Sequence, residues 1–179
     1  MMVACACCGG SLHGRFDRRD FLRAAGIAGL ATAFPFAVGA AEGNYEAMLL
    51  SCIDPRMVEP VYKYMAGRGL TGRYSQFVIA GAAIAVVAPK FEAWHRTFWD
   101  NLGTSYQLHR ITRVIAIDHR DCGAAKIAYG PDSVATPQAE TETHRKVLAE
   151  FREQMHRRHP AITVETGLMA LDGSLQPLG

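Results

Sequence analysis

Short unbroken apolar runs alternate along the chain with longer segments whose apolar residues recur every three or four positions, a pattern that predicts strands separated by helices. Tyr45 to Cys52 reads as a buried strand ended by Asp54-Pro55 turn chemistry. Met57 to Met65 reads as a helix, with Pro55 and Pro60 limiting its start and Gly67 and Gly69 supplying its stop. Phe77-Val78-Ile79 is a second short strand, and the small residues from Ala82 to Val87 fit a strand, a helix or a close-packed turn. Phe91, Trp94, Phe98, Leu102 and Tyr106 line one face of a helix across 90–108, so this helix and both Trp94 and Trp99 are expected in the core. Thr112 to Ile117 is a β-branched strand that runs into Asp118-His119-Arg120-Asp121-Cys122-Gly123, with a helix expected from Gly123. A loop over 131–137 precedes a helix with Val147, Leu148, Phe151 and Met155 on one side and charge on the other. Ala161 to Met169 is the last strand, followed by an Asp172-Gly173 turn and a short tail. Strands alternating with helices predict an α/β domain, a mainly parallel central sheet flanked by helices, over residues 41–179.

The first 40 residues have another character. Arg18-Arg19-Asp20-Phe21-Leu22 precedes a small, weakly apolar, charge-free run from Ala24 to Ala40, and Val38-Gly39-Ala40 offers a small-residue cleavage site. The segment resembles a twin-arginine export signal, which implies a periplasmic or otherwise extracytoplasmic mature chain starting near residue 41, with no stable membrane span after cleavage. Cys5, Cys7 and Cys8 lie upstream of the arginines and would leave with it, so the mature chain keeps Cys52 and Cys122.

Composition narrows the class of partner. Of the 179 residues, 49% are hydrophobic and 20% charged, which excludes intrinsic disorder. Beyond residue 40 acidic and basic side chains balance, so the body lacks the electrostatic footprint of nucleic-acid binding. A small-molecule site is expected instead.

The chemistry concentrates at two strand ends. Cys52 ends one predicted strand, and His119 and Cys122 stand just beyond another. In a parallel α/β sheet those ends share the edge where ligands bind. Two thiolates and one imidazole are a recognised zinc set, and three protein ligands leave an open fourth position, the arrangement of a catalytic site. Asp54 and Arg56 follow at alternate positions and reach the same crevice. A salt bridge to Arg56 would keep the Asp54 carboxylate off the metal and orient it as a hydrogen-bond acceptor. The competing reading, two buried cysteines or a disulfide with a turn histidine, leaves Asp54 and Arg56 unexplained. His95, His109, His144, His156 and His159 read as solvated or capping residues, and Asp118 as either a turn former or a carboxylate supporting the metal site.

Cys52-Ile53-Asp54-Pro55-Arg56 and His119-Arg120-Asp121-Cys122-Gly123-Ala124 resemble the two signature motifs of the β-class carbonic anhydrases. The resemblance covers roughly residues 45–172. It implies Zn2+ held by Cys52, His119 and Cys122, Asp54 and Arg56 as the catalytic gating pair, and reversible hydration of carbon dioxide to bicarbonate by zinc-bound hydroxide. It also implies a homodimer or higher homo-oligomer, although little chain between residue 41 and the first strand is left for the family's N-terminal arm. One departure stands out: where the family carries Arg-Asn-Ala-Gly-Asn, this chain reads Ile79-Ala80-Gly81-Ala82-Ala83, so a more apolar pocket is expected. That departure keeps two alternatives open, hydrolysis of carbonyl sulfide or carbon disulfide on the same zinc site, or an inactive zinc-binding relic.

Overall fold

The computed structural model describes residues 45–179, so the segment expected to be an export signal, with its expected cleavage site, lies outside the described residues. Five strands form one sheet in the order β2-β1-β3-β4-β5. These are β1 (Ala47–Ser51), β2 (Tyr74–Val78), β3 (Arg113–His119), β4 (Thr163–Met169) and β5 (Leu175–Pro177). The first four are parallel and β5 is antiparallel to β4. The helices are α1 (Val58–Gly67), α2 (Ala83–Val87), α3 (Glu92–His109), α4 (Gly123–Tyr129) and α5 (Pro137–Arg158), so the α/β architecture expected from the alternation is the one observed. Among the described residues no helix is long and apolar enough to cross a membrane.

The central strands are covered on both faces, which is why they read as continuous apolar runs rather than alternating ones. Met48, Leu50, Val114 and Ala116 face a core that includes Phe98 and Leu102 of α3 and Val147, Leu148, Phe151 and Met155 of α5. Ala47, Leu49, Ile115 and Ile117 face the other way, onto Met57, Val61 and Met65 on the α1 side. Phe98 is fully buried and meets Phe77, Trp99 and Phe151 edge-on. Burial of such a side chain contributes about 1.5–3 kcal/mol.

The structure corrects the sequence reading in three places. Ala83 to Val87, open between strand, helix and turn, is the short helix α2. The aromatic helix is rotated from the expected face: Phe98, Leu102 and Ser105 are its buried residues, while Trp94 stacks on Phe91 and stays 39% exposed, Tyr106 is exposed, and Trp99 lies only partly buried beneath the Arg158 guanidinium. The short tail contains a further strand, β5, that the sequence reading did not include. The Asp172 carboxylate accepts the Ser174 amide at 2.9 Å to close the turn. Gly167 leaves room for the Leu175 side chain to lie over β4, since a Cβ there would meet Leu175 Cδ1 at 2.8 Å.

Candidate metal centre

β1 and β3 lie side by side with Ser51 opposite Ile117, so Cys52, just beyond the end of β1, comes level with Asp118, while β3 runs on beside β4. His119 completes β3, and the turn through Asp121, at φ 56°, brings Cys122 back to the same edge. The ligand atoms of Cys52, His119 and Cys122 all lie within 4.8 Å of one another. Cys52 and Cys122 are free thiols, so the disulfide reading is set aside.

The imidazole of His119 is 1% exposed. Its Nδ1 donates to the Arg120 carbonyl at 2.8 Å, which leaves Nε2 as the bare nitrogen. That atom is buried with no hydrogen-bond partner among the described residues. A buried unpaired ring nitrogen costs free energy unless something unseen satisfies it, and a metal ligand whose other nitrogen is fixed on a carbonyl has this form. The donor set and the orphaned atom therefore fit a metal ion, and these three residues could hold one. Cys52 Sγ also accepts the Gly81 amide at 3.2 Å. The Cys122 thiol, together with His119 and that amide, holds the Cys52 thiol well below its ordinary range against the effect of burial. The hydrogen bond to Cys52, and burial, push Cys122 up. Burial disfavours the charged His119, but the Cys52 thiolate prevails and raises it.

Asp54 stands beside this group, with Oδ2 4.0 Å from His119 Nε2. It caps the short 3-10 turn Pro55–Met57, accepting the Arg56 amide at 2.9 Å, and it also takes Arg56 Nε at 3.0 Å and Nη2 at 2.7 Å. The guanidinium holds the carboxyl down to about 2. Sequence reasoning missed the other half of this clamp. Arg56 Nη1 donates to Asp121 Oδ2 at 2.7 Å and Nη2 to the Asp121 carbonyl at 3.1 Å, tying the β1 loop to the β3 loop. The signal available was Asp121 itself, an acid between the two β3 ligand candidates.

No family model matches the chain. It is 32% identical over 131 residues to an uncharacterized protein of Rickettsia conorii, covering 73% of this chain and 70% of that one. It is 33% identical over 131 residues to an uncharacterized protein of Rickettsia bellii, covering 73% and 80%. The chain belongs to the family of these rickettsial proteins. Among solved structures it is similar to the β-carbonic anhydrase CafA of Aspergillus fumigatus, at TM-score 0.52 and 16% identity over 76% of each chain. It is also similar to the Coccomyxa β-carbonic anhydrase in complex with acetazolamide, at TM-score 0.52 and 12% identity over 89% of this chain and 83% of that one. A tetrameric β-carbonic anhydrase of Sordaria macrospora matches at TM-score 0.50 and 12% identity, over 90% and 94%. The fold is that of the β-carbonic anhydrases.

Within this β-carbonic anhydrase fold, the structure narrows the reading of Asp118 and corrects that of His144. Of the two roles left open for Asp118, the turn former is set aside: it lies in β3 with its side chain fully buried. His144, expected to be solvated, is also fully buried, and its Nδ1 donates to Asp118 Oδ2 at 2.8 Å. It sits on the same face of α5 as Val147, Leu148, Phe151 and Met155, and the spacing 144, 147, 148, 151, 155 was the cue to its burial. The other histidines among the described residues are not part of the ligand group. His95 bonds the Ala88 carbonyl, His109 packs on Tyr45 at the end of α3, His156 is exposed, and His159 caps α5 and stacks on Trp99.

Proposed function

We propose that this chain is a zinc enzyme that interconverts carbon dioxide and bicarbonate. The observation that carries the reading is one cluster: two thiols and a bare, buried imidazole nitrogen within 4.8 Å, next to a carboxylate clamped by an arginine. Cys52, His119 and Cys122 would hold the ion, which when bound supplies the Lewis acidity that makes a nucleophile of water near neutral pH. Held against Arg56, Asp54 stays ionised throughout the neutral range and is kept from closing on the ligands. Its Oδ2 accepts a hydrogen bond from the attacking water and so aims a lone pair at the carbon atom.

Carbon dioxide hydration followed by stopped flow from about pH 6.5 to about pH 9, with zinc content measured on the same sample, tests this. Activity rising with pH is the expected result, since two thiolates leave the centre formally neutral and the water less acidic than at an all-histidine site. Full zinc occupancy without hydration would overturn the assignment. Ile79 and Ala80, both partly exposed and apolar, stand where the resembling family is polar, and they give a second reading a specific basis. Hydrogen sulfide release from carbonyl sulfide or carbon disulfide would move the chemistry to those substrates, and failure of all three would leave a zinc-binding relic.

The same reading extends to assembly and location. The protein works as a homo-oligomer, which light scattering tests, and Arg18-Arg19-Asp20-Phe21-Leu22 directs its export by the twin-arginine route. Retention in the cytosol of the parent and of an Arg18→Lys, Arg19→Lys variant alike would count against export.

A further inference from the structure

The Cys52 sulfur is not held by its own strand alone. It accepts the Gly81 amide at 3.2 Å, from the turn that joins β2 to α2. Gly81 has φ 86°, and a Cβ there would meet the Ala124 Cβ at 2.7 Å, so the turn runs tight against α4. The following residue, Ala82, is fully buried at φ 48° and ψ −113°, a conformation that L side chains rarely adopt. Such a backbone persists only when its surroundings over-determine it. Here the next amide supplies the hold: Ala83 N–H donates to Asp118 Oδ1 at 3.0 Å. The other oxygen of Asp118 receives His144 Nδ1 at 2.8 Å, with both side chains fully buried, so the carboxylate has no freedom to turn away.

We infer that His144 is a positioning residue of the metal centre, acting through Asp118 and the 81–83 turn to keep the Gly81 N–H on the Cys52 thiolate. The inference rests on Cys52 being a metal ligand. Three hydrogen bonds of ordinary length, joined through the 81–83 backbone, make a continuous path from α5 to the sulfur. The function of the path is to fix the donor strength of the thiolate. An amide hydrogen bond draws charge from sulfur, and outer partners of this kind set metal affinity by about tenfold to a hundredfold.

The test uses cobalt(II) and zinc(II) on the full chain and on three variants. His144→Phe removes the N–H and keeps the bulk, His144→Asn restores an N–H at the Nδ1 position, and His144→Gln places it near Nε2 instead. Loss of the Gly81 bond leaves more charge on the sulfur, so in His144→Phe the thiolate-to-cobalt charge-transfer band moves to longer wavelength; because the turn no longer holds the sulfur in place for the ion, zinc passes to a chelator about tenfold faster. His144→Asn returns both readings towards the parent. If His144→Phe does not accumulate as folded protein, His144→Gln carries the same expectation. A parent that binds cobalt, with a folded His144→Phe or His144→Gln whose band and zinc release match it, overturns this inference alone. A parent that takes up neither metal overturns the metal reading and this inference with it.

Discussion

The two ends of the same sheet carry two polar constellations of opposite character. At the N-terminal ends of the strands, Arg73, Glu46, Arg113, Glu165 and Arg68 form an unbroken ladder of alternating charge, Arg73 to Glu46 at 3.0 Å, Glu46 to Arg113 at 2.9 Å and Arg113 to Glu165 at 3.1 Å, with Arg68 closing on Glu165. Every member has an opposite partner and remains partly in water. At the C-terminal ends, the His119 Nε2 is buried and unpartnered, two thiols share the space around it, and the backbone enters positive φ at Gly81, Ala82 and Asp121. A satisfied, solvated network needs no ligand and ties down the edge of a fold. An unsatisfied, buried cluster with backbone strain beside it marks a place where something else is bound. Buried, unpaired ring nitrogens also occur at His109 and His144, so the chemistry is located by the conjunction of such an atom with two free thiols and positive-φ turns at one edge.

Changes at the ligand end should therefore cost metal and turnover, and changes at the ladder end only stability. The largest effect is expected from Cys122→Ser. A four-ligand zinc site is worth about 10–16 kcal/mol, so loss of one thiolate should weaken zinc by two to three powers of ten. Zinc retained at parental affinity, measured by competition with a chelator, would remove Cys122 from the ligand set. Arg56→Ala comes next. It should keep the metal but free Asp54 to close on it, lowering carbon dioxide hydration about a hundredfold, the scale of a displaced acid–base group. In the metal-free variant the Asp54 carboxyl, held near 2 by Arg56 in the parent, should titrate closer to its ordinary value, and carboxyl NMR reads that shift directly. Gly81→Ala should cost about 2 kcal/mol by urea unfolding, roughly half from positive φ and half from the clash with Ala124.

How much of this was legible without coordinates follows from the range of each interaction. β1 and β3 stood out because a central parallel strand is apolar on both faces, and once they were adjacent, Cys52, His119 and Cys122 had to share an edge. Asp54 and Arg56 were legible because their pairing spans two residues. The Asp118–His144 bond spans 26 residues and the Arg56–Asp121 bond 65, and neither is written in any local pattern. His144 lies among Glu142, Thr143 and Arg145, so local polarity concealed the helical spacing that put it inside. Trp94 and Tyr106 erred the other way: their spacing matched the apolar face, but Ser105 takes the inner position, bonded to Ser75 at 2.6 Å, and leaves Tyr106 outside. β5 has three residues and no period to read; only its Asp172-Gly173 turn was visible.

The ladder end supplies the control, and the smallest effect. Glu165→Gln removes the carboxylate that Arg68 and Arg113 share while keeping its shape. Partly exposed networks are worth little, so the loss should be about 1 kcal/mol in urea unfolding at neutral pH. Its pH dependence is fixed in sign. Hydrogen bonding from Arg68 lowers the Glu165 pKa in the folded protein, so its contribution is fully present above the ordinary glutamate value of about 4.3 and is lost as pH falls through the lowered folded value. The parent should therefore lead the variant at pH 7, and the two stability curves should converge below about pH 4. Zinc affinity and the cobalt spectrum should be the same in both proteins, because no bond connects the ladder to Gly81, Asp118 or His144 among the described residues. A change in either metal reading would mean that the two ends of the sheet are coupled through β3, which carries Arg113 at one end and His119 at the other.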